Sequence, residues 1–154
     1  MSKIEPARPL VLTTEQHALL GELVEIMGQV ESMLIESVKH VDPSAAGKLS
    51  KLTAGPQAKA WAKTIRGRVR DPAISAQIPV AQAELVQLAE DRNDFIHALY
   101  KGVYVEGYVQ PGYQATSATR SKTGNSRSTN DLQSIRDRAA TLSCVVDAIG
   151  KAVI

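Results

Sequence analysis

The sequence is poor in the residue types that crosslink small secreted domains or hold metal ions. It has a single cysteine, Cys144, and three histidines in 154 residues. A single cysteine cannot form an internal disulfide, and with three scattered histidines it makes a poor set of zinc ligands. We therefore expect no disulfide, no metal site and no cofactor.

Long apolar runs are also missing. No run approaches the roughly 18 residues that a membrane-spanning helix needs. The first residues, MSKIEPARPLVLTTEQ, lack the apolar core of a signal peptide. These absences predict a protein without a membrane segment, located in the cytoplasm.

Aromatic residues are scarce, with one Trp, one Phe and four Tyr. Packing must therefore rest on Leu, Ile, Val and Ala, which suits helices. The length is that of one domain with a sizeable core, and the net charge of +2 is typical of a globular protein rather than a disordered one. We expect a single domain over residues 1–154.

Apolar residues recur at steps of three and four in four segments, which predicts four amphipathic helices. The predicted helices cover about residues 13–41, 56–69, 79–100 and 129–153. Thr13 and Gln16 have the spacing of a capping box, and Asp42-Pro43 ends the first helix. Residues 42–57 should form a loop with room for one helical turn.

The segment between the third and fourth helices has a different composition. Strand-forming Val and Tyr residues surround a turn signal, Gln110-Pro111-Gly112, and a polar stretch follows. This pattern predicts a β-hairpin and a polar loop over residues 101–128. The expected fold is all-α, an up-and-down four-helix bundle with this hairpin inserted between helices three and four. Residues 1–12 should form an extended arm.

Positive charge is concentrated in one part of the chain. Residues 48–70 contain no acid and these seven basic residues: Lys48, Lys51, Lys59, Lys63, Arg66, Arg68 and Arg70. Such a segment is most often a solvated helix face, but it also has the character of a polyanion-binding surface. Candidate RNA-binding residues are Lys59, Lys63, Arg66 and Arg68.

The stretch EDRNDFIHALYKG places polar residues where the third helix should pack. Arg92 falls on the apolar seam, while Asn93 and His97 lie within about 40° of each other, one turn apart. A histidine can transfer protons near neutral pH, an arginine can hold phosphate oxygens, and an asparagine can orient either group. The set suits metal-independent cleavage of RNA by its own 2′-hydroxyl.

The RNDFIH segment, Arg92 to His97, resembles the R-x4-6-H motif of HEPN domains. These are helical bundles, and many are metal-independent ribonucleases that act as dimers. The resemblance spans about residues 13–153, with a long first helix, the motif near the end of the third, a strand pair and a closing helix. It departs at Ala98, where sequences of this kind often have Gly.

By this resemblance, Arg92 and His97 are catalytic and Asn93 is the polar residue of the motif. It also implies an RNA substrate, a homodimer and, by analogy, a toxin or defence component with an inhibitory protein partner. Tyr100 is a candidate for stacking on a base or for the core. Lys101 is a candidate for contacting phosphate or solvent.

Glu31 lies beside the apolar stripe of the first helix, where a carboxylate needs a partner. Arg92 or His97 across the bundle would supply one. An alternative is that Arg92 is only a structural arginine paired with Glu31. Two further functions stay open: a non-catalytic nucleotide- or RNA-binding module, and a dimeric protein-interaction module.

Overall fold

A computed structural model describes residues 13–100 and 129–154, with only the backbone described at residues 96–100 and 129. The described residues are all-α, as predicted. In chain order the helices are α1 (Thr14–Val41), α2 (Pro43–Leu49), α3 (Ala54–Ile65), α4 (Pro72–Ser75), α5 (Gln77–Tyr100) and α6 (Thr129–Lys151). The predicted N-terminal arm and the predicted β-hairpin with its polar loop lie outside the described residues.

The start of α1 is fixed by two side chains. The Gln16 N–H donates to the Thr13 hydroxyl at 3.1 Å, and the Thr13 N–H donates to the Gln16 side-chain oxygen at 2.9 Å. This reciprocal pair satisfies two backbone donors that a helix start leaves without intrahelical acceptors. The predicted capping box is confirmed.

Two Asp-Pro pairs begin the short helices. Asp42 Oδ1 accepts from two amides of the first turn of α2, at 3.0 and 3.2 Å, and Asp71 Oδ1 accepts in the same way in α4, at 2.8 and 3.3 Å. Pro43 and Pro72 take first-turn positions, where a missing N–H costs nothing. The sequence analysis predicts Asp42-Pro43 only as the end of the first helix. The predicted loop over residues 42–57, with room for one helical turn, is therefore too long, because residues 43–49 form α2 and residues 54–57 belong to α3.

The helix directions depart from the predicted up-and-down alternation. Glu31 and then Ser37 of α1 bond to Gln57 and then Trp61 of α3, so α1 and α3 run in the same direction. The short helix α2 packs against both and carries the chain back between them. The prediction connects the first two long helices by a loop, which would make them antiparallel. Because α2 carries the chain back instead, α1 and α3 are parallel and the predicted alternation is wrong.

The core is built from the apolar stripes of the long helices around one tryptophan. Trp61 is fully buried, and its Nε1 donates to Ser37 Oγ at 3.0 Å. The Ser37 hydroxyl in turn donates to the carbonyl of Leu34 at 2.9 Å. These bonds satisfy the polar atoms at the centre of the α1–α3 contact.

Helix α3 ends earlier than predicted, at Ile65 rather than residue 69. Gly67 then adopts a positive φ of 82°, which reverses the chain at little steric cost. Beyond the turn, the backbone oxygen of Arg68 accepts from the Ile154 N–H at 2.9 Å, and Val69 forms an isolated bridge with Val153. These contacts fix the end of α6 beside the end of α3. No described helix is both long enough and apolar enough to span a membrane.

Candidate functional site

Arg92 interrupts the buried face of α5, as the periodicity predicts. Leu85, Leu88 and Phe95 on that face are buried, whereas Arg92 is half-buried. Its Nη2 donates to Asn93 Oδ1 at 3.3 Å. Its Nε is fully buried and has no hydrogen-bond partner among the described residues. A buried donor without an acceptor costs roughly 1–3 kcal/mol, so the placement of this Nε lowers the stability of the fold.

A cavity of about 240 Å³ lies beside Arg92, between α1, the start of α3 and α5. Arg92, Glu31 and Gln57 are the charged and amide side chains that line it. Its apolar walls include Val24, Met27, Leu34 and Leu85. The cavity therefore combines apolar surfaces with one anion, one cation and one amide.

Of the two predicted partners of Glu31, Arg92 forms no ion pair with it, and the side chain of His97 is not among those described. Glu31 Oε1 accepts from Gln57 Nε2 at 3.1 Å, and no described residue forms an ion pair with Glu31. The expectation of an Arg92 or His97 partner rested on burial, but Glu31 is exposed and its charge is hydrated. The carboxylate nevertheless lines the same cavity as Arg92.

Gln57 is a site residue that the sequence analysis missed. It is 97% buried, and its Nε2 donates both to Glu31 and to the backbone oxygen of Leu49, at 3.3 Å. Its Oε1 makes no hydrogen bond with any described residue. The signal was present in the sequence, because Gln57, Trp61 and Ile65 recur every four residues on the buried face of α3. An amide on an apolar stripe is the same kind of signal that marked Arg92.

Two acidic residues of α5, Glu84 and Asp91, pair with α6 rather than with Arg92. Arg138 of α6 donates from Nε to Glu84 Oε1 at 2.8 Å and from Nη1 to Asp91 Oδ2 at 2.6 Å. The hydrogen bond to Glu84 raises the pKa of Arg138 above its usual value, and the bond to Asp91 adds to this although partial burial opposes it. Arg92, by contrast, has no carboxylate partner among the described residues.

The remaining predicted site residues lie at the end of α5. His97 and Tyr100 belong to this helix, and their side chains are not among those described. On a regular helix, His97 lies about 6 Å beyond Asn93 along the axis and about 40° around it. Lys101 lies outside the described residues. The backbone thus places Asn93 and His97 one turn apart at the same end of α5 as Arg92.

The predicted RNA-binding residues are all accessible. Lys59 and Lys63 are exposed one turn apart on α3, Arg66 is exposed at the C-cap of that helix, and Arg68 is exposed in the turn that follows. None of the four forms an ion pair with a described residue. This basic face lies on the same helix as Gln57, on the side away from the core.

Within the two described parts of the chain, no three His, Cys, Asp or Glu side chains come together as a metal-binding group. No known protein family, no curated protein and no solved structure matched this chain.

Proposed function

We propose that this protein is a metal-independent endoribonuclease whose catalytic residues are Arg92, Asn93 and His97. The observation that supports this most directly is the state of Arg92. A half-buried guanidinium with a buried, unpaired Nε is unfavourable for folding alone. It is useful where an anion must be held away from bulk water, and phosphate is the anion that an arginine fork fits best.

The chemistry requires a base, an acid and a stabiliser of negative charge. The 2′-hydroxyl of RNA loses its proton and attacks the adjacent phosphorus, and the bond from phosphorus to the 5′-oxygen breaks. His97 transfers protons, Arg92 stabilises the charge on the phosphate oxygens, and Asn93 orients the reacting groups. The products are a 2′,3′-cyclic phosphate and a 5′-hydroxyl, and the 5′-oxygen takes up a proton as it leaves.

We further propose that the fold is a four-helix HEPN-like bundle with a β-hairpin, acting as a homodimer. Arg92 and His97 point about 140° apart on one helix. Two copies of α5 facing each other across a two-fold axis would bring an arginine of one copy towards a histidine of the other. Such an enzyme also fits a toxin or defence role with an inhibitory protein partner, a proposal that rests on analogy.

The basic face of α3 would guide the RNA. Lys59, Lys63, Arg66 and Arg68 are exposed cations without described ion partners. For a single strand bound through such contacts, the logarithm of the affinity falls with the logarithm of the salt concentration. The slope is about 0.7 per phosphate contacted. We expect a slope near 3 for the parent protein if all four residues contact phosphate.

A second candidate function is a non-catalytic nucleotide- or RNA-binding module, which the mixed polar and apolar cavity beside Arg92 favours. A third is a dimeric protein-interaction module in which Arg92 serves only the fold.

Incubation of purified protein with mixed RNA in EDTA tests these alternatives. We expect the parent to release 2′,3′-cyclic phosphate ends, and His97→Ala and Arg92→Met each to lose about 100-fold or more in rate. His40→Ala is the matched control, because His40 is exposed on α1 away from the cavity, and it should cut like the parent. Intact RNA after incubation with the clean parent would refute the ribonuclease. Binding of RNA without cleavage would then favour the non-catalytic binding module. Neither binding nor cleavage of RNA would favour the protein-interaction module.

A further inference from the structure

We propose that the cavity beside Arg92 binds a guanine base. The proposal rests on the proposed function in one respect, namely that the guanine belongs to an RNA strand cut at Arg92. The recognition itself depends only on Arg92, Glu31, Gln57 and the apolar walls between them.

The size of the cavity limits its occupant. Its volume of about 240 Å³ is below the roughly 300–1,000 Å³ of pockets that take a drug-sized ligand. A single planar base is of suitable size. Val24 on one wall is 58% exposed, and with Met27 it offers apolar surface to the face of a ring.

The polar groups of the cavity comprise one donor group and two acceptor groups. The Arg92 Nη1 makes no hydrogen bond with a described residue and is available to donate. The Glu31 carboxylate accepts one bond from Gln57 and can accept more, and Gln57 Oε1 accepts none from described residues. Because the amide of Gln57 already donates twice, it adds only an acceptor.

Guanine is the base that matches this set. It offers O6 and N7 as acceptors to an arginine, and its N1–H and N2–H₂ as donors to a carboxylate. Adenine would place its N6–H₂ donor against Arg92 and its N1 lone pair against Glu31, so both contacts would be repulsive. Uracil and cytosine offer at most one donor group on this edge where guanine offers two.

The arginine can serve the base and the phosphate together. A guanidinium carries five N–H donors in a planar fork. One edge can donate to O6 while other donors remain available to an adjacent phosphate oxygen. The base in the cavity would thus position the flanking phosphate near Arg92 and near the end of α5.

The test is calorimetric titration of the whole protein in EDTA with guanosine and adenosine 5′-monophosphates. We expect the guanine nucleotide to bind about tenfold or more tightly than the adenine nucleotide. Glu31→Gln should remove most of this preference, because an amide offers one acceptor in place of a carboxylate.

Two glycines of α1 provide a blocking variant and its matched control. Gly28 lines the cavity, Gly21 does not, and a Cβ at either position meets nothing within 4 Å. Gly28→Leu should fill the cavity and abolish binding of the guanine nucleotide, whereas Gly21→Leu should bind like the parent. Equal binding of both nucleotides, no binding of either, or full binding by Gly28→Leu would overturn the proposal.

The source of the guanine is decided with uncleavable 2′-O-methyl trinucleotides, UGU and UAU. Tighter binding of UGU than of the free guanine nucleotide identifies RNA as the source, whereas equal or weaker binding identifies the free nucleotide. Different outcomes refute the proposed ribonuclease activity and the proposed guanine pocket. Selective guanine binding by a protein that leaves RNA intact refutes the ribonuclease alone, and RNA cleavage without guanine binding refutes the pocket alone.

Discussion

Replacing Arg92 by methionine should stabilise the protein. The substitution keeps a long unbranched side chain for the buried face of α5 and removes a buried Nε that has no described acceptor. In the competing explanation, Arg92 is a structural residue held by a salt bridge. Removing one partner of a buried pair costs about 3–5 kcal/mol, so the two explanations predict opposite signs.

The magnitude follows from the contacts of the guanidinium. Removing the unsatisfied Nε raises the free energy of unfolding by about 1–3 kcal/mol. Losing the 3.3 Å hydrogen bond to Asn93 lowers it by about 0.5–1 kcal/mol. The net gain in the free energy of unfolding is therefore about 1 kcal/mol. For a chain of this size that corresponds to a rise in Tm of about 2–4 °C.

Urea denaturation followed by the fluorescence of Trp61 measures this directly, because Trp61 is fully buried and is the only tryptophan. Arg138→Met is the matched control. Arg138 donates to two carboxylates at a partly exposed position, and we expect its loss to cost about 0.5–1 kcal/mol. An Arg92→Met variant destabilised by more than 1 kcal/mol, with an unchanged m-value, would show that this arginine serves the fold.

Three further substitutions test the fold. Ser37→Ala removes the acceptor of the buried Trp61 indole and should lower the free energy of unfolding by about 1–3 kcal/mol in the same urea assay; no loss would mean that this bond is replaced or unimportant. Gly67→Ala should destabilise by about 1 kcal/mol because φ is 82° there, whereas Gly21→Ala, in the exposed interior of α1, should stabilise by a similar amount. Thermal melts that rank this pair in the reverse order would contradict the backbone assignment.

The parts of the fold that depend on neighbouring residues could be predicted from the sequence. The start of α1 is set by Thr13 and Gln16, three residues apart, and its end by Asp42 and Pro43. The position of Arg92 on the buried face of α5 depends only on helical periodicity. These features depend on the spacing between residues that are close in the sequence, so they can be predicted from the sequence alone.

The features that depend on distant residues could not be predicted in the same way. The parallel course of α1 and α3 follows from α2, whose seven residues have no apolar stripe long enough to detect. The pairing of Glu31 with Gln57 joins residues 26 positions apart. Periodicity shows which side of a helix faces inward, but not which helix it meets.

The two polar residues on apolar stripes, Arg92 and Gln57, nevertheless meet in one cavity although they belong to different helices. Arg92 carries a buried Nε without a described hydrogen-bond partner, and Gln57 carries an Oε1 that accepts no hydrogen bond from a described residue. Two polar residues placed on apolar stripes of different helices for unrelated reasons would be expected to fall on different surfaces. Their meeting beside the exposed carboxylate of Glu31 is better explained by a common ligand than by packing, since only a ligand uses all three groups together.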